Sequence, residues 1–489
     1  MSLTLKEKTV KGVLWSSIDR FSTQGIQFVF SILIARLLLP SDYGIIAMLG
    51  IFMAVAATFV DSGFGTAIVR KLDRTQTDFS TVFYFNIVVS IIAYIGLWFA
   101  SPYIAAFYNI PLLEDVTKLV GLNLIINSLS GIHNAKLTID IDFKSRAKIS
   151  VFTTLFTGAI GLWMAYSGYG VWALVFQTLF SNTLRTILLW CFVRWMPTLE
   201  FSWKSFRELF SFGSKMLASG LLDTIYNNIY TIVIGKFFSS TSLGVYSRAD
   251  SLAQYPSSNI TGVLQSVTFP VLSTIQNEED RLAEAYKRFI RMSAFVVFPL
   301  MVGLAAVADP LIRVVLTNKW EGVIYLLQIL CFSMMWYPIH AINLNLLMVK
   351  GRSDYFLKLE ILKKILGVAV LCLTIPMGLV AMCYGRIFTS IVCLALNTYY
   401  TDKLINYGFW KQMRDLFPIL LQSFIMGALV YLFVQNTTSS VYQLIAGILT
   451  GIIYYMVSSY LLKFKELTTI IEIVRRKKTK IKWRKNRLQ

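Results

Sequence analysis

Charge is scarce in this chain. Asp, Glu, Lys and Arg make up 15% of its 489 residues, against roughly 25% in soluble domains, so an ordinary water-soluble globule is excluded. Histidine is scarcer still. His133 and His340 are the two present; they lie far apart and in no H-E-x-x-H arrangement, so neither a metal site nor a cofactor is expected. The five cysteines (Cys191, Cys331, Cys372, Cys383 and Cys393) show no C-x-x-C spacing and lie in or beside apolar runs, which predicts free, buried thiols. No G-x-x-x-x-G-K-[ST] occurs, so no nucleotide-hydrolysing site is expected. Any work must come from a gradient, a substrate or a partner.

What the chain has instead is apolar sequence. Hydrophobic residues make up 56% of it, in recurring runs of roughly 20 residues, long enough for a helix to cross a hydrocarbon core of about 30 Å. The fold class expected is an all-α integral membrane protein of about 14 transmembrane helices. They centre near residues 27, 53, 91, 124, 158, 180, 225, 262, 297, 335, 367, 390, 425 and 451. Lys6, Lys8 and Lys11 lead into a segment too long and too polar for the h-region of a cleaved signal, so it reads as the first span.

Lys and Arg set the orientation, because cytoplasmic connections carry the excess. They cluster at 6–11, 70–74, 136–148, 194–215, 281–291, 350–364 and 403–414, and again from Lys463 onward. The alternate connections "SPYIAAFYNIPLLED", "YSGYG", "TIPMG" and "QNTTSS" are nearly uncharged. Both termini are therefore expected in the cytoplasm. The tail "RRKKTKIKWRKNRLQ" is too polar to span and reads as an anchor on anionic lipids. With Trp483 its one aromatic, it does not read as a nucleic-acid binder.

"ILIARLLLPSDYG" at 32–44 returns as "IVIGKFFSSTSLG" at 232–244. At that offset of 200, Asp19 meets Ser219, Thr23 meets Asp223, Gln24 meets Thr224, Gln27 meets Asn227 and Ser31 meets Thr231. Apolar coincidences between membrane helices are common, whereas polar ones are informative. The polar residues of each segment also form a stripe: Ser16, Arg20, Thr23, Gln27 and Ser31 in the first, Ser211, Lys215, Ser219, Asp223 or Tyr226, and Tyr230 in the second. Such spacing keeps one wet face on a helix, and a central charge facing lipid costs about 2.5–3.5 kcal/mol. The stripes must face one another or water. Two six-helix lobes in parallel repeat follow, at 1–200 and 201–402, then two further helices at 403–462 and a basic cytoplasmic tail at 463–489. A site between parallel repeats is a transporter arrangement working by alternating access. Stripes that merely bond helix to helix are the plainer alternative.

"ARLLLPSDYG" followed by "DSGFGTAIVR", and then "LGVYSRADSLAQYP" and "FPVLSTIQNEEDRLAEAYKRF", resemble the polysaccharide exporters of the MOP superfamily. Within it they are similar to the branch of colanic-acid-type Wzx exporters and related lipopolysaccharide biosynthesis proteins. The resemblance covers about Lys6 to Leu462 and fits a MATE-like, fourteen-helix, two-lobe plan. It implies a multi-pass monomer of the bacterial inner membrane that flips undecaprenyl-diphosphate-linked oligosaccharides for lipopolysaccharide O-antigen, capsule or exopolysaccharide. Partners would then be the lipid-linked oligosaccharide, anionic lipids and polysaccharide polymerase or assembly proteins.

Such a substrate joins an anionic diphosphate to a polar glycan and a long apolar tail. Arg20, Lys215 and Arg248 are the candidate diphosphate ligands, with Arg386 a further helical cation. At an effective dielectric near 20 one close charge pair is worth about 4 kcal/mol. Lys363 and Lys364 are weaker candidates, because Glu360 lies within reach of an ordinary helical pair. Gln24, Gln27, Asn227 and Tyr226 are candidate glycan contacts. Tyr230, Tyr246 and Tyr255 also suit sugar stacking, although packing explains each alone. Asp223, Asp19, Asp61 and Asp250 are candidates for ion coupling, with a fixed ion pair as the competing role. Asp223 is favoured because its repeat mate is the neutral Thr23. No charge falls between Phe417 and Leu462; by resemblance to the peptidoglycan-precursor flippase of the superfamily, these last helices border a groove for the polyprenyl tail.

Two rivals stand. A drug or metabolite antiporter of the same superfamily would favour an acidic cavity, whereas the helical charges here lean basic. A membrane-embedded polymerase or glycosyltransferase would need catalytic acids or arginines in an external loop, and the uncharged connections leave little room for one. The chain is therefore not read as an enzyme, and no residue is assigned as catalytic. The topology is checked by cysteines placed at Thr437 and Thr479 in a cysteine-free background. Impermeant maleimide should label them from opposite sides of the membrane, and same-side labelling rejects the arrangement.

Overall fold

The computed structural model describes residues 5–435 and 440–472, but not the side chains of residues 5–14, Ser17, Phe212 and Lys215. Regular structure among the described residues is helical. In chain order the helices are α1 (Leu5–Leu37), α2 (Pro40–Asp61), α3 (Phe64–Arg70), α4 (Gln76–Tyr108), α5 (Leu112–Ser128), α6 (Gly131–Ile139), α7 (Phe143–Tyr166), α8 (Val171–Val193) and α9 (Trp203–Phe237). There follow α10 (Ser240–Thr274), α11 (Glu279–Ala306), α12 (Ala308–Val315), α13 (Gly322–Met334), α14 (Tyr337–Val349), α15 (Ser353–Thr374), α16 (Leu379–Ile405), α17 (Phe409–Gln435) and α18 (Ser440–Leu461). Every expected centre but one falls inside a helix. The exception, Met335, sits at the break between α13 and α14.

Among the described residues, eight helical segments are long and apolar enough to cross a membrane: Pro40–Arg70, Gln76–Tyr108, Phe143–Tyr166, Glu279–Ala306, Gly322–Val349, Leu379–Ile405, Phe409–Gln435 and Ser440–Leu461. The chain is a multi-pass membrane protein. α9 and α10, each of 35 residues, are ample in length, but the polar stripe of α9, and Asp250, Gln254, Ser258, Thr261, Gln265 and Thr268 on α10, dilute the apolar character. "SPYIAAFYNIPLLED", expected as a loop, is mostly helix. α4 runs through Pro102 to Tyr108, and α5 begins at Leu112. Ile104, Ala105 and Tyr108 are buried there, so packing carries the helix past the proline. Of the cysteines, Cys331, Cys383 and Cys393 are buried as expected, but Cys191 and Cys372 are exposed. A thiol facing lipid needs no cover from protein.

The chain packs as two compact units, Met1–Ser247 and Arg248–Gln489. In the first, α1 lies on α7, α4 on α5, and α2 against α4, α5 and α9. Packing thus groups α9 with the helices before it, whereas the expected lobe boundary lies at residue 201. An aromatic core joins α3, α4, α6 and α9. Phe64 packs on Phe85 at 4.7 Å and Phe206 at 5.9 Å, and His133 lies against Trp190 at 4.7 Å. Beside this core, Thr75 and Asp78 form a capping box at the start of α4, satisfying backbone N–H groups a helix start leaves open. Lys71 binds Asp78 at 3.2 Å and Glu208 at 3.1 Å. Burial opposes the lysine's charge, but the two carboxylates outweigh it and its pKa is raised.

The two glycines matched by the repeat lie at one close crossing. A Cβ on Gly44 would overlap the Ser240 carbonyl, and a Cβ on Gly244 would overlap the Pro40 carbonyl. Pro40 and Ser240 are themselves 200 positions apart. The contact is reciprocal, each segment's carbonyl lying against the other's glycine. In "DSGFG", Ser62 and Gly63 take φ of 44° and 71°, turning α2 into α3 while the Ser62 carbonyl presses on Gly213 of α9. Overpacking usually costs about 1–3 kcal/mol, and backbone cannot swing aside as a side chain can. Gly44→Ala and Gly244→Ala should therefore lower the thermal midpoint of the purified protein by similar, large amounts. Gly25→Ala, with open space around it, should leave the midpoint unchanged or raise it.

Candidate functional site

The polar stripes are exposed helix surfaces. On α1, Arg20 and Gln27 are exposed and Gln24 is half-buried. The helix packs mainly on α7, where Arg146 reaches Asp19 at 3.6 Å and Thr23 donates to Asp19 at 3.3 Å. Asp19 thus has a structural ion pair. On α9, Asp223 and Asn227 are exposed and Tyr226 is half-buried. Thr224, the repeat mate of Gln24, meets Thr58 of α2 hydroxyl to hydroxyl at 3.2 Å. Asp61 is exposed at the end of the same helix. Tyr230 stacks on Tyr246 at 6.4 Å. Lys215 lies on α9, and its side chain is outside the described residues.

The second unit brings together two residues that the sequence separates by 136 positions. Arg386 of α16 donates to Asp250 of α10 at 2.5 Å, with the two side chains 18% and 28% exposed. Asp250 is therefore held by a cation rather than presented alone. Arg248, two residues before it, lies half-buried over the Trp320 ring at 5.4 Å, a cation–π arrangement. Lys363 pairs with Glu360 one turn back.

Some polar residues here gave no signal in the sequence. His340 contacts Ser390 through Nε2 at 3.1 Å and Asn397 through Nδ1 at 3.0 Å. Tyr325 and Tyr384 share a hydroxyl contact of 2.8 Å at the mouth of a recess of about 430 Å³ among α11, α13, α16 and α17. All lie in apolar runs with partners tens of residues away. An apolar groove lies beside the last two helices. It holds about 400 Å³ between α11, α17 and α18, and its lining includes Leu300, Gly303, Val430, Gly447, Gly451 and Ile452.

A multi-pass helical membrane protein, with polar stripes, a transverse ion pair and an apolar groove at its surface, is the class these features define. Its fold is that of the lipid II flippase MurJ in an inward closed conformation, with a TM-score of 0.75, 14% identity, and 92% of this chain and 99% of that one covered. The chain belongs to the polysaccharide biosynthesis protein family, whose model matches residues 33–325. It is 26% identical to the teichuronic acid biosynthesis protein TuaB of Bacillus subtilis over 353 residues, 72% of this chain and 73% of TuaB. It is 22% identical to the succinoglycan biosynthesis transport protein ExoT of Rhizobium meliloti over 496 residues, 98% of both.

Removing one partner of a buried ion pair costs about 3–5 kcal/mol, and of an exposed one under about 1 kcal/mol. The half-buried Asp250–Arg386 pair belongs between these limits. Asp250→Asn and Arg386→Gln should each lower the thermal midpoint, and the double variant should lose clearly less than the two singles summed. Additive losses would show that the pair does not couple.

Proposed function

We propose that the chain moves a polyprenyl-diphosphate-linked oligosaccharide across a bacterial inner membrane. The observation that carries this reading is the presence, in one chain, of exposed polar stripes on α1 and α9 and an apolar groove along α11, α17 and α18. A substrate that is anionic and sugar-rich at one end and purely hydrocarbon at the other needs both surfaces. The names of ExoT and MurJ, a transport protein and a lipid II flippase, support the same reading. Arg20, Lys215 and Arg248 bind the diphosphate, and Gln24, Gln27, Asn227 and Tyr226 contact the glycan. The groove takes the tail. Residues 1–200 and 201–402 act as two lobes alternating access across about fourteen spans, followed by 403–462 and a cytoplasmic basic tail. Both termini are cytoplasmic, the unit is a monomer, and no bond is made or broken in the substrate.

Ion coupling is assigned to Asp223, with Asp61 next. Asp19 and Asp250 are weaker choices, because Arg146 and Arg386 already neutralise them. Protonation or sodium binding at Asp223 would change the charge of the α9 stripe and so its hold on a phosphate.

The test is transbilayer movement of a fluorescent undecaprenyl-diphosphate oligosaccharide in vesicles with an imposed pH or sodium gradient. Arg20→Ala should slow movement at least tenfold, equivalent to about 1.4 kcal/mol, while Arg20→Lys retains a substantial part. Full activity in the alanine variant removes Arg20 from the site. Asp223→Asn should abolish the response to the gradient; if wild type and variant respond equally, Asp223 does not carry coupling. If the wild type moves no lipid-linked sugar, the proposed function fails.

A further inference from the structure

Where α11, α17 and α18 reach residues 291, 418 and 462, a second recess opens, of about 480 Å³. The apolar groove lies further along the same three helices. Leu421, Ile425 and Tyr454 wall the recess, while Arg291, Lys463 and Lys465 line it with positive charge.

Local folding explains why the cations gather there. α18 ends at Leu461, and Lys463 takes a left-handed φ of 53°. The Lys463 and Phe464 N–H groups donate back to Tyr460 and Ser459 carbonyls at 3.2 and 3.1 Å, as at many helix C-termini. Phe464 then turns inward, buried and 6.0 Å from the Phe295 ring. That leaves Lys463 and Lys465 on the exposed side. Glu466, 6% exposed, accepts from Arg291 Nε at 2.5 Å and matches that one charge. Among the described residues Lys463 and Lys465 form no ion pair.

Gln422 also lines the recess and is 3% exposed. Its Nε2 lies within hydrogen-bond reach of the Tyr455 carbonyl and of the hydroxyls of Ser458 and Ser459, which its two N–H groups share. Its Oε1 has no partner. A buried acceptor left this way costs about 1–3 kcal/mol, and a hydroxyl donor relieves it. Unmatched lysines, an orphaned acceptor and apolar walls therefore meet at one end of a membrane helix bundle. A phosphate with a hydroxylated headgroup and an acyl chain answers all three, and basic pockets between membrane helices hold such headgroups.

We propose that this recess binds one anionic glycerophospholipid. The phosphodiester sits against Lys463 and Lys465 beside Arg291, and an acyl chain lies along Leu421 and Ile425. The site stands apart from the transport reading and does not depend on it. Full-length protein in mild detergent is loaded with phosphatidylglycerol or phosphatidylcholine at equal mole fraction, and bound lipid is counted by native mass spectrometry. One phosphatidylglycerol should persist where phosphatidylcholine is lost. Its retention should fall at least fivefold in Lys463→Ala/Lys465→Ala, and equally in Ile425→Trp, which fills the recess without changing charge. Neutralising the tail with Arg475→Ala, Arg476→Ala, Lys477→Ala and Lys478→Ala should leave retention unchanged. Undiminished retention in Ile425→Trp, or loss on tail neutralisation alone, overturns the site. Displacement by undecaprenyl diphosphate at equal mole fraction also overturns it, by making the recess part of the substrate's path. Should the tryptophan variant not fold, the exposed Lys465→Ala decides alone: undiminished retention there overturns the proposal.

Discussion

Hydrocarbon offers no hydrogen-bond partner, so every polar group carried into the membrane must be answered by the protein or by water. Helices settle the backbone, and side chains then follow the same rule. Thr81, Thr157 and Thr398 each donate to a carbonyl one turn back, and Asn182 donates to Asn123 across two helices at 2.7 Å. Charges follow it more strictly, as Asp250–Arg386, Asp19–Arg146 and Arg291–Glu466 show. Many of the polar groups that are not sealed inward stand on exposed faces of α1 and α9, and others, such as Gln254 and Gln265, on α10. In a membrane protein such faces need water or another polar surface.

The second constraint is distance. Lipid and Leu are equally apolar, so helices in a membrane gain little by hiding hydrophobic surface from each other and hold together through close packing. Small residues mark where that occurs. Gly44 and Gly244 bring backbone against backbone, and Gly447, Gly451, Tyr455 and Ser459 form the buried stripe of α18. The remainder of α18 is lipid-facing, with Ile445, Leu449, Ile452 and Ile453 all exposed. The same small residues shape the apolar groove, since glycines at 303, 447 and 451 leave room between helices that larger side chains would fill.

Much of this was legible along the chain. Run lengths marked the long helices but not the short α3, α6 and α12 or the break between α13 and α14, and the coincidence of polar residues at an offset of 200 singled out the α1 and α9 stripes. The glycines that meet at the crossing lie in the repeated phrase itself. Helix ends were less legible: α4 outlasts its expected end because buried contacts at Ile104 and Tyr108 override Pro102. The exposure of Cys191 and Cys372 was hidden for a related reason, as an apolar run looks the same whether it faces protein or lipid.

The sequence by itself determined the class of protein, the helical membrane plan and the polar stripes, because these depend on composition and short-range periodicity. Pairing was decided only in three dimensions. Nothing near Asp250 in the chain announces Arg386, and nothing near Arg291 announces Glu466. His340 likewise finds Ser390 and Asn397 only through packing. Each of these residues has several potential partners along an apolar sequence, and the choice among them is made by which helices touch and at what height. The same holds for the two lysines after α18. A left-handed turn and one buried phenylalanine carry them to the mouth of a recess whose walls come from helices far away in the chain.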